Sequence, residues 1–173
     1  MALIAKGTSF TPAPEGVHNA VCVDVVDLGN VDGNWGCKHK CRIVWELSEL
    51  MDDGRPFLAS KQYTVSLNEK ANLHKDLRAW RGKAFTATEL AGFNVDAIIG
   101  APCQIVITHQ EKDGMVYGNV TAIIKGKKPY LAAVGTYVRV CDRPGYKAPE
   151  MPVTEDPEDD YPEGNCPSDE IPF

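Results

Sequence analysis

Residues 37–66 hold two alternating runs on either side of Asp52-Asp53-Gly54-Arg55-Pro56, a pattern that leaves little choice but a β-hairpin. Gly supplies the positive φ that a tight turn demands, and Asp-Gly between apolar or β-branched runs is a strong hairpin signal. Side chains alternate between the two faces of a strand. Over residues 37–50, Lys38, Lys40 and Arg42 therefore point one way, and His39, Cys41, Ile43, Trp45 and Leu47 the other. One face is cationic and the other can line a core. On the second run, residues 57–66, Lys61 and Tyr63 share a face. Placed on the same side as the first three cations, they would set an aromatic plane beside positive charge, which suits a polyanion with stackable bases. A plain hairpin with a solvated outer face explains the same residues equally well.

Upstream, residues 15–26 alternate and are rich in Val, which predicts a first strand. Residues 28–34 are dense in turn formers and read as a loop. Trp35 stands at its far edge, either as a stacking platform or folded over the end of the sheet. Downstream, Asn68 is the expected N-cap of a helix in which Leu73, Leu77 and Trp80 form the core stripe. Lys75, Arg78 and Arg81 follow a neighbouring stripe, and Gly82 is a plausible stop. Thr86 and Glu89 have capping-box spacing, which starts a second short helix. Residues 102–109 and 116–124 read as two more strands around a turn ending Asp113-Gly114, with Tyr117, Asn119 and Thr121 on one face. Lys125, Lys127 and Lys128 form a basic patch just beyond, beside Tyr130.

Three strands, a helical segment and two strands give an all-β class with a helical insertion. The pattern is that of an OB-fold, a five-stranded Greek-key barrel with a helix between strands 3 and 4. The strand 2–3 face of that fold commonly binds single-stranded nucleic acid or oligosaccharide. The 173 residues suffice for one such domain, expected over residues 1–141, plus an extension over residues 142–173. The net charge of −6 divides unevenly: residues 1–141 carry 16 Lys and Arg against 14 Asp and Glu, and residues 142–173 carry 2 against 10. A slightly basic body on an acidic tail is the asymmetry of an interaction tail, and it leaves a polyanion partner open. The tail is also rich in Pro and poor in apolar periodicity, and is expected to be disordered.

Other chemistries are weaker. Neighbouring members of Cys37-x-His39-x-Cys41 lie about 7 Å apart on a strand and the outer pair about 13–14 Å, so all three cannot gather on one metal ion without breaking it; a site using one or two of them is weak, and no metal or cofactor is expected. No phosphate-binding loop or Gly-x-Ser-x-Gly element is found, and the four histidines are scattered, so the chain is not expected to be an enzyme. Apolar runs fall short of the roughly 18 residues of a membrane span, and residues 1–10 lack the apolar stretch of a secretory signal. A cytoplasmic protein with no membrane partner is expected, its six cysteines mostly free thiols.

The chain finishes Asp169-Glu170-Ile171-Pro172-Phe173. Acids followed by Ile-Pro-Phe resemble the C-terminal tip of bacterial single-stranded DNA-binding proteins, which recruits replication and repair enzymes. The body resembles bacteriophage-type single-stranded DNA-binding proteins in Trp45-Glu46-Leu47, in residues 61–67 (Lys-Gln-Tyr-Thr-Val-Ser-Leu), in residues 77–83 (Leu-Arg-Ala-Trp-Arg-Gly-Lys) with Phe85, and in Gly100-Ala101-Pro102-Cys103. The resemblance covers most of residues 1–125 and implies an OB-fold, sequence-independent binding of single-stranded DNA in phage replication and recombination, and residence in the bacterial host cytoplasm.

The expected DNA-binding residues are Trp35, Lys38, Lys40, Arg42, Lys61, Tyr63, Tyr117, Lys125, Lys127 and Lys128. The tail tip, Asp169, Glu170, Ile171, Pro172 and Phe173, would bind replication, repair or recombination proteins. A homo-oligomer is left open. The rival reading is an OB-fold adaptor that binds proteins and has no DNA binding of its own.

Overall fold

A computed structural model describes residues 11–34 and 36–149. Five antiparallel strands form one sheet in the order β3-β2-β1-β4-β5. They are β1 (Gly16–Gly33), β2 (Gly36–Leu50), β3 (Pro56–Thr64), β4 (Pro102–Lys112) and β5 (Met115–Lys125). Helices α1 (Asn72–Arg81) and α2 (Ala87–Ala91) lie between β3 and β4. The all-β class with a helical insertion is therefore observed. β3 and β5, at opposite ends of the hydrogen-bonded order, approach within 8 Å at the Cα level without pairing as strands.

The β2–β3 hairpin forms where the turn signal stands, with Gly54 at φ 84° and Met51 N–H donating to the Arg55 carbonyl at 2.7 Å. The β4–β5 hairpin closes over Asp113 (φ 53°) and Gly114 (φ 75°), the two positive φ values that a tight primed turn needs.

The expected loop over residues 28–34 is not a loop. β1 continues to Gly33 and pairs with β2 as far as Gly33 opposite Gly36. What looked like a run of turn formers is a strand with a bulge. The register shifts between Asp27 and Gly29, Gly29 takes φ 66°, and the Asp27 carboxylate accepts its N–H at 2.8 Å. Helix α1 also starts later than expected. Asn68 accepts the Lys70 N–H on its own side chain at 3.0 Å and forms a local turn, so the helix begins after Ala71.

The inner face of the sheet, closed over by α1, holds the main core. Ile43, Trp45 and Leu47 of β2 are fully buried, and Leu73, Leu77 and Trp80 of α1 pack onto the same cluster. Trp80 is in the core as its stripe predicts. Its ring lies 6.2 Å from that of Trp45, and its indole N–H donates to the Pro102 carbonyl at 2.9 Å. Gly82 ends α1 in the left-handed region at φ 70°. The Thr86–Glu89 capping box forms in full at the start of α2.

A second, smaller cluster covers the outer face of β1 and β2. Val21, Val23, Val26 and Val44 pack against Leu131, Tyr137 and Val140 from the segment after β5. Two carboxylates are buried beneath that segment, Asp24 at 1% exposure and Glu46 at 2%. A buried carboxylate is tolerated only when donors surround it. Asp24 accepts from Tyr137 Oη, Arg139 Nε and the Val140 N–H at 3.1, 3.1 and 2.8 Å, and Glu46 accepts the Val134 N–H at 2.8 Å. Residues 131–140 thus form a strap pinned by two acids of the sheet. Residues 142–149, assigned to the tail by composition, continue from it. Pro149 sits against β1, where a Cβ on Gly29 would come within 2.6 Å of its ring.

Candidate nucleic-acid interface

Lys38, Lys40 and Arg42 project from the outer face of β2, as alternation requires, because Cys37, Cys41 and Ile43 between them are buried. Cross-strand register sets Lys40 beside Thr64 and Arg42 beside Gln62 of β3, and Lys40 beside Gly29 of β1. The connection between β3 and α1 raises a wall on the far side. The result is a groove of about 530 Å³ lined by Lys38, Lys40 and Lys70 with Gln62, Tyr63, Thr64 and Asn68, and no acidic residue lines it. Among the described residues Lys38, Lys40, Arg42 and Lys70 form no ion pair. Among the described residues nothing neutralises their charge, which suits them to an anion.

Lys61 does not line this groove, and Tyr63 borders it without presenting its ring there. Lys61 lies opposite Ile43 and Tyr63 opposite Cys41, both of which point inward, so the register sends this pair into the core side. Tyr63 is only 2% exposed, and its hydroxyl donates to Asp76 Oδ2 on α1 at 2.7 Å. Lys61 donates to the same oxygen at 2.7 Å, with its ammonium 5.2 Å from the Tyr63 ring centre. Burial, and then the Asp76 carboxylate, hold the Tyr63 phenol far above its ordinary range. The cation–aromatic pair seen in the sequence exists, but it ties β3 to α1. A base cannot stack on a ring with no exposed face.

The remaining expected contacts are dispersed. Trp35 falls outside the described residues, although its neighbours Gly33 and Gly36 pair across the β1–β2 turn. Tyr117 is 40% exposed on β5, at the other end of the strand order from β3. Lys125, Lys127 and Lys128 are exposed, and none lines the β2–β3 groove. The stem of Lys125 instead lies against the end of α1, 3.3 Å from where a Gly82 Cβ would sit.

Of the basic stripe on α1, Arg81 is diverted. It donates to Glu89 at 2.6 Å and stacks over Phe85 and Phe93 at 4.6 and 5.7 Å. Lys75 and Arg78 stay exposed. Lys70, Gln62 and Thr64 are groove residues that alternation within one strand could not single out. Lys70 depended on the path of the β3–α1 connection. Gln62 and Thr64 depended on cross-strand register.

Cys22 and Cys41 are buried free thiols pushed up to about 12 and about 11, chiefly by burial, so neither is a thiolate at neutral pH. Cys103 is shifted the same way, and Cys141 is free and exposed. Cys37 departs from the expected free state: it is disulfide-bonded. His39 Nε2 lies 2.7 Å from Asp27 Oδ1, and no group of three His, Cys, Asp or Glu side chains among the described residues is placed to hold a metal ion. Among the described residues no helix is long and apolar enough to cross a membrane. The tail tip, Asp169, Glu170, Ile171, Pro172 and Phe173, lies outside the described residues. Compared with known protein families and with curated proteins, the chain matches no family model and no curated sequence.

Proposed function

We propose that the chain binds single-stranded DNA without sequence preference and without catalysis, along the outer face of β2 and β3. The observation that carries this is the acid-free groove lined by Lys38, Lys40 and Lys70, none of which enters an ion pair among the described residues. Unpaired cations along a strand face neutralise successive phosphates, and hydroxyl and amide groups such as those of Thr64 and Gln62 bond to phosphate or sugar. On this reading the sheet is an OB barrel, supported by the meander β1-β2-β3, the β1–β4 pairing and the approach of β3 to β5. Base stacking falls to Trp35, which the sequence sets between Gly33 and Gly36. The protein would act in the bacterial host cytoplasm during phage replication and recombination.

The tail fits the same reading. Between Glu150 and Glu170 it carries nine acids and no Lys or Arg. The described chain reaches Pro149 on Gly29, the cross-strand partner of Lys40, and the acidic run follows in sequence. Asp169-Glu170-Ile171-Pro172-Phe173 would recruit replication and repair enzymes, an aromatic anchor and carboxylates suiting a pocket with apolar and basic walls.

A protein-binding adaptor is the second reading. The inward turn of Tyr63 favours it, since that removes one expected stacking ring from the face. Fluorescence titration of the full chain with oligo(dT) at two salt concentrations separates the two. DNA binding that weakens steeply with salt supports the first, and absence of binding at low salt leaves the adaptor.

A further inference from the structure

We infer that α1 carries a second phosphate-binding site, continuous with the first, that takes the sugar–phosphate backbone of the same strand as it leaves β3. This rests on the β2–β3 groove being the DNA site. Ala71, Lys75, Arg78 with Ala79, and Gly82 fall at i, i+4, i+7 with i+8, and i+11, one stripe along the helix. At its near end Ala71, with Asn72 next to it in sequence, lines the β2–β3 groove. Its far end, Lys75, Arg78, Ala79 and Gly82, lines another groove of about 440 Å³ completed by Lys83 and Ala84.

The two grooves meet the helix at successive positions, the first at Ala71 and Asn72 and the second from Lys75 onward. Lys70 stands at one end, Lys75 and Arg78 in the middle, Lys83 at the other, and the stem of Lys125 lies over Gly82. These five cations enter no ion pair among the described residues. The acids that could neutralise them are engaged elsewhere, Asp76 by Lys61 and Tyr63, and Glu89 by Arg81. Glu69 is the exposed acid nearest in sequence, at the near end. Eleven residues of rise span about 16 Å, or about five stacked nucleotides at about 3.4 Å each. The small residues Ala71, Ala79 and Gly82 leave the backbone of the helix open to close approach along that length.

The test measures binding of the full chain to oligo(dT) of about 6 and about 16 nucleotides across a salt series, the low and high ends of the range of site sizes for such domains. The probe protein is the triple variant Lys75→Gln, Arg78→Gln, Lys83→Gln, with Lys75→Gln alone as a milder second. All three side chains are exposed, so the thermal unfolding midpoint should match wild type. For the long oligomer the log–log salt slope should fall by about 2 in the triple variant and about 0.7 in the single, while binding of the short one is unchanged. An unaltered slope with the long oligomer overturns the inference and leaves the stripe a solvated face. So does an effect that disappears once residues 150–173 are removed, because the stripe would then hold the acidic tail. If wild type binds neither oligomer, the β2–β3 reading itself fails, an outcome distinct from the other two.

Discussion

Lys40 and Tyr63 sit on paired strands one register step apart and border the same groove, yet the Lys40 side chain is partly open to solvent and the Tyr63 ring is buried with its hydroxyl on a helix carboxylate. The outer face of β2 and the inner face of β3 carry the same residue types, Lys beside polar or aromatic neighbours. They differ in what stands opposite. Lys38, Lys40 and Arg42 enter no ion pair among the described residues, whereas Lys61 and Tyr63 face Asp76 of α1. Charge with a fixed partner builds the fold; charge without one is free to bind. The contrast separates structural from functional cations more sharply than composition does.

The largest expected effect lies beneath both faces. Trp80→Ala should cost about 3–5 kcal/mol, the usual loss for a buried large aromatic, and chemical denaturation measures it. A variant that melts normally but loses DNA binding would move Trp80 to the interface and break the comparison.

Tyr63→Phe comes next. It removes one hydrogen bond to a carboxylate, a loss of about 1.5–3 kcal/mol, and should leave the salt dependence of DNA binding as it was. Since the folded phenol titrates above its ordinary value of 10.0, its contribution is full below pH 10 and is lost as pH rises beyond it. The stability gap between wild type and Tyr63→Phe should therefore narrow only in alkali.

Glu89 offers a smaller contrast on the acid side. Its carboxyl is held down from the ordinary 4.5 to about 2, first by the hydrogen bond from Arg81 and then by the Thr86 N–H. Its stabilisation is present above pH 4.5 and fades as pH falls towards 2. The difference in melting temperature between wild type and Glu89→Gln should close over that window. A constant difference would mean that the Arg81–Glu89 pair contributes nothing through charge.

The smallest effect expected is on the outer face alone. Removing residues 150–173 should raise DNA affinity modestly at low salt and hardly at all near physiological salt, where exposed charges are screened within about 8 Å. An equal gain at both would argue against electrostatic competition. Deleting Phe173 alone should leave DNA binding unchanged and abolish capture of a replication or repair enzyme that docks the tip.

Alternation and turn chemistry were legible in the sequence. They placed both hairpins, the cationic side of β2, the Leu73–Leu77–Trp80 stripe and the cap of α2. Register between strands was not, and that is why Lys61 and Tyr63 were expected on the wrong side. Period-2 patterning says which residues of one strand share a face, and a shift of one residue relative to the neighbour reverses the assignment. Gly29 misled for a related reason, since Gly in a bulge and Gly in a loop look alike until the pairing partner is known. The strap over residues 131–140 has no periodicity of its own. Its order comes from Asp24 and Glu46, whose burial could not be read from strands that merely contain an acid.

The central claim is that unpaired cations on the outer face of β2 hold phosphates. The direct test compares wild type with Lys38→Gln, Lys40→Gln, Arg42→Gln in titrations with oligo(dT) over a salt series. Each lost phosphate contact lowers the log–log slope by about 0.7, so the triple variant should show a slope lower by about 2, with its stability unchanged. An unaltered slope in a variant that still binds would contradict the account and place the DNA elsewhere on the molecule.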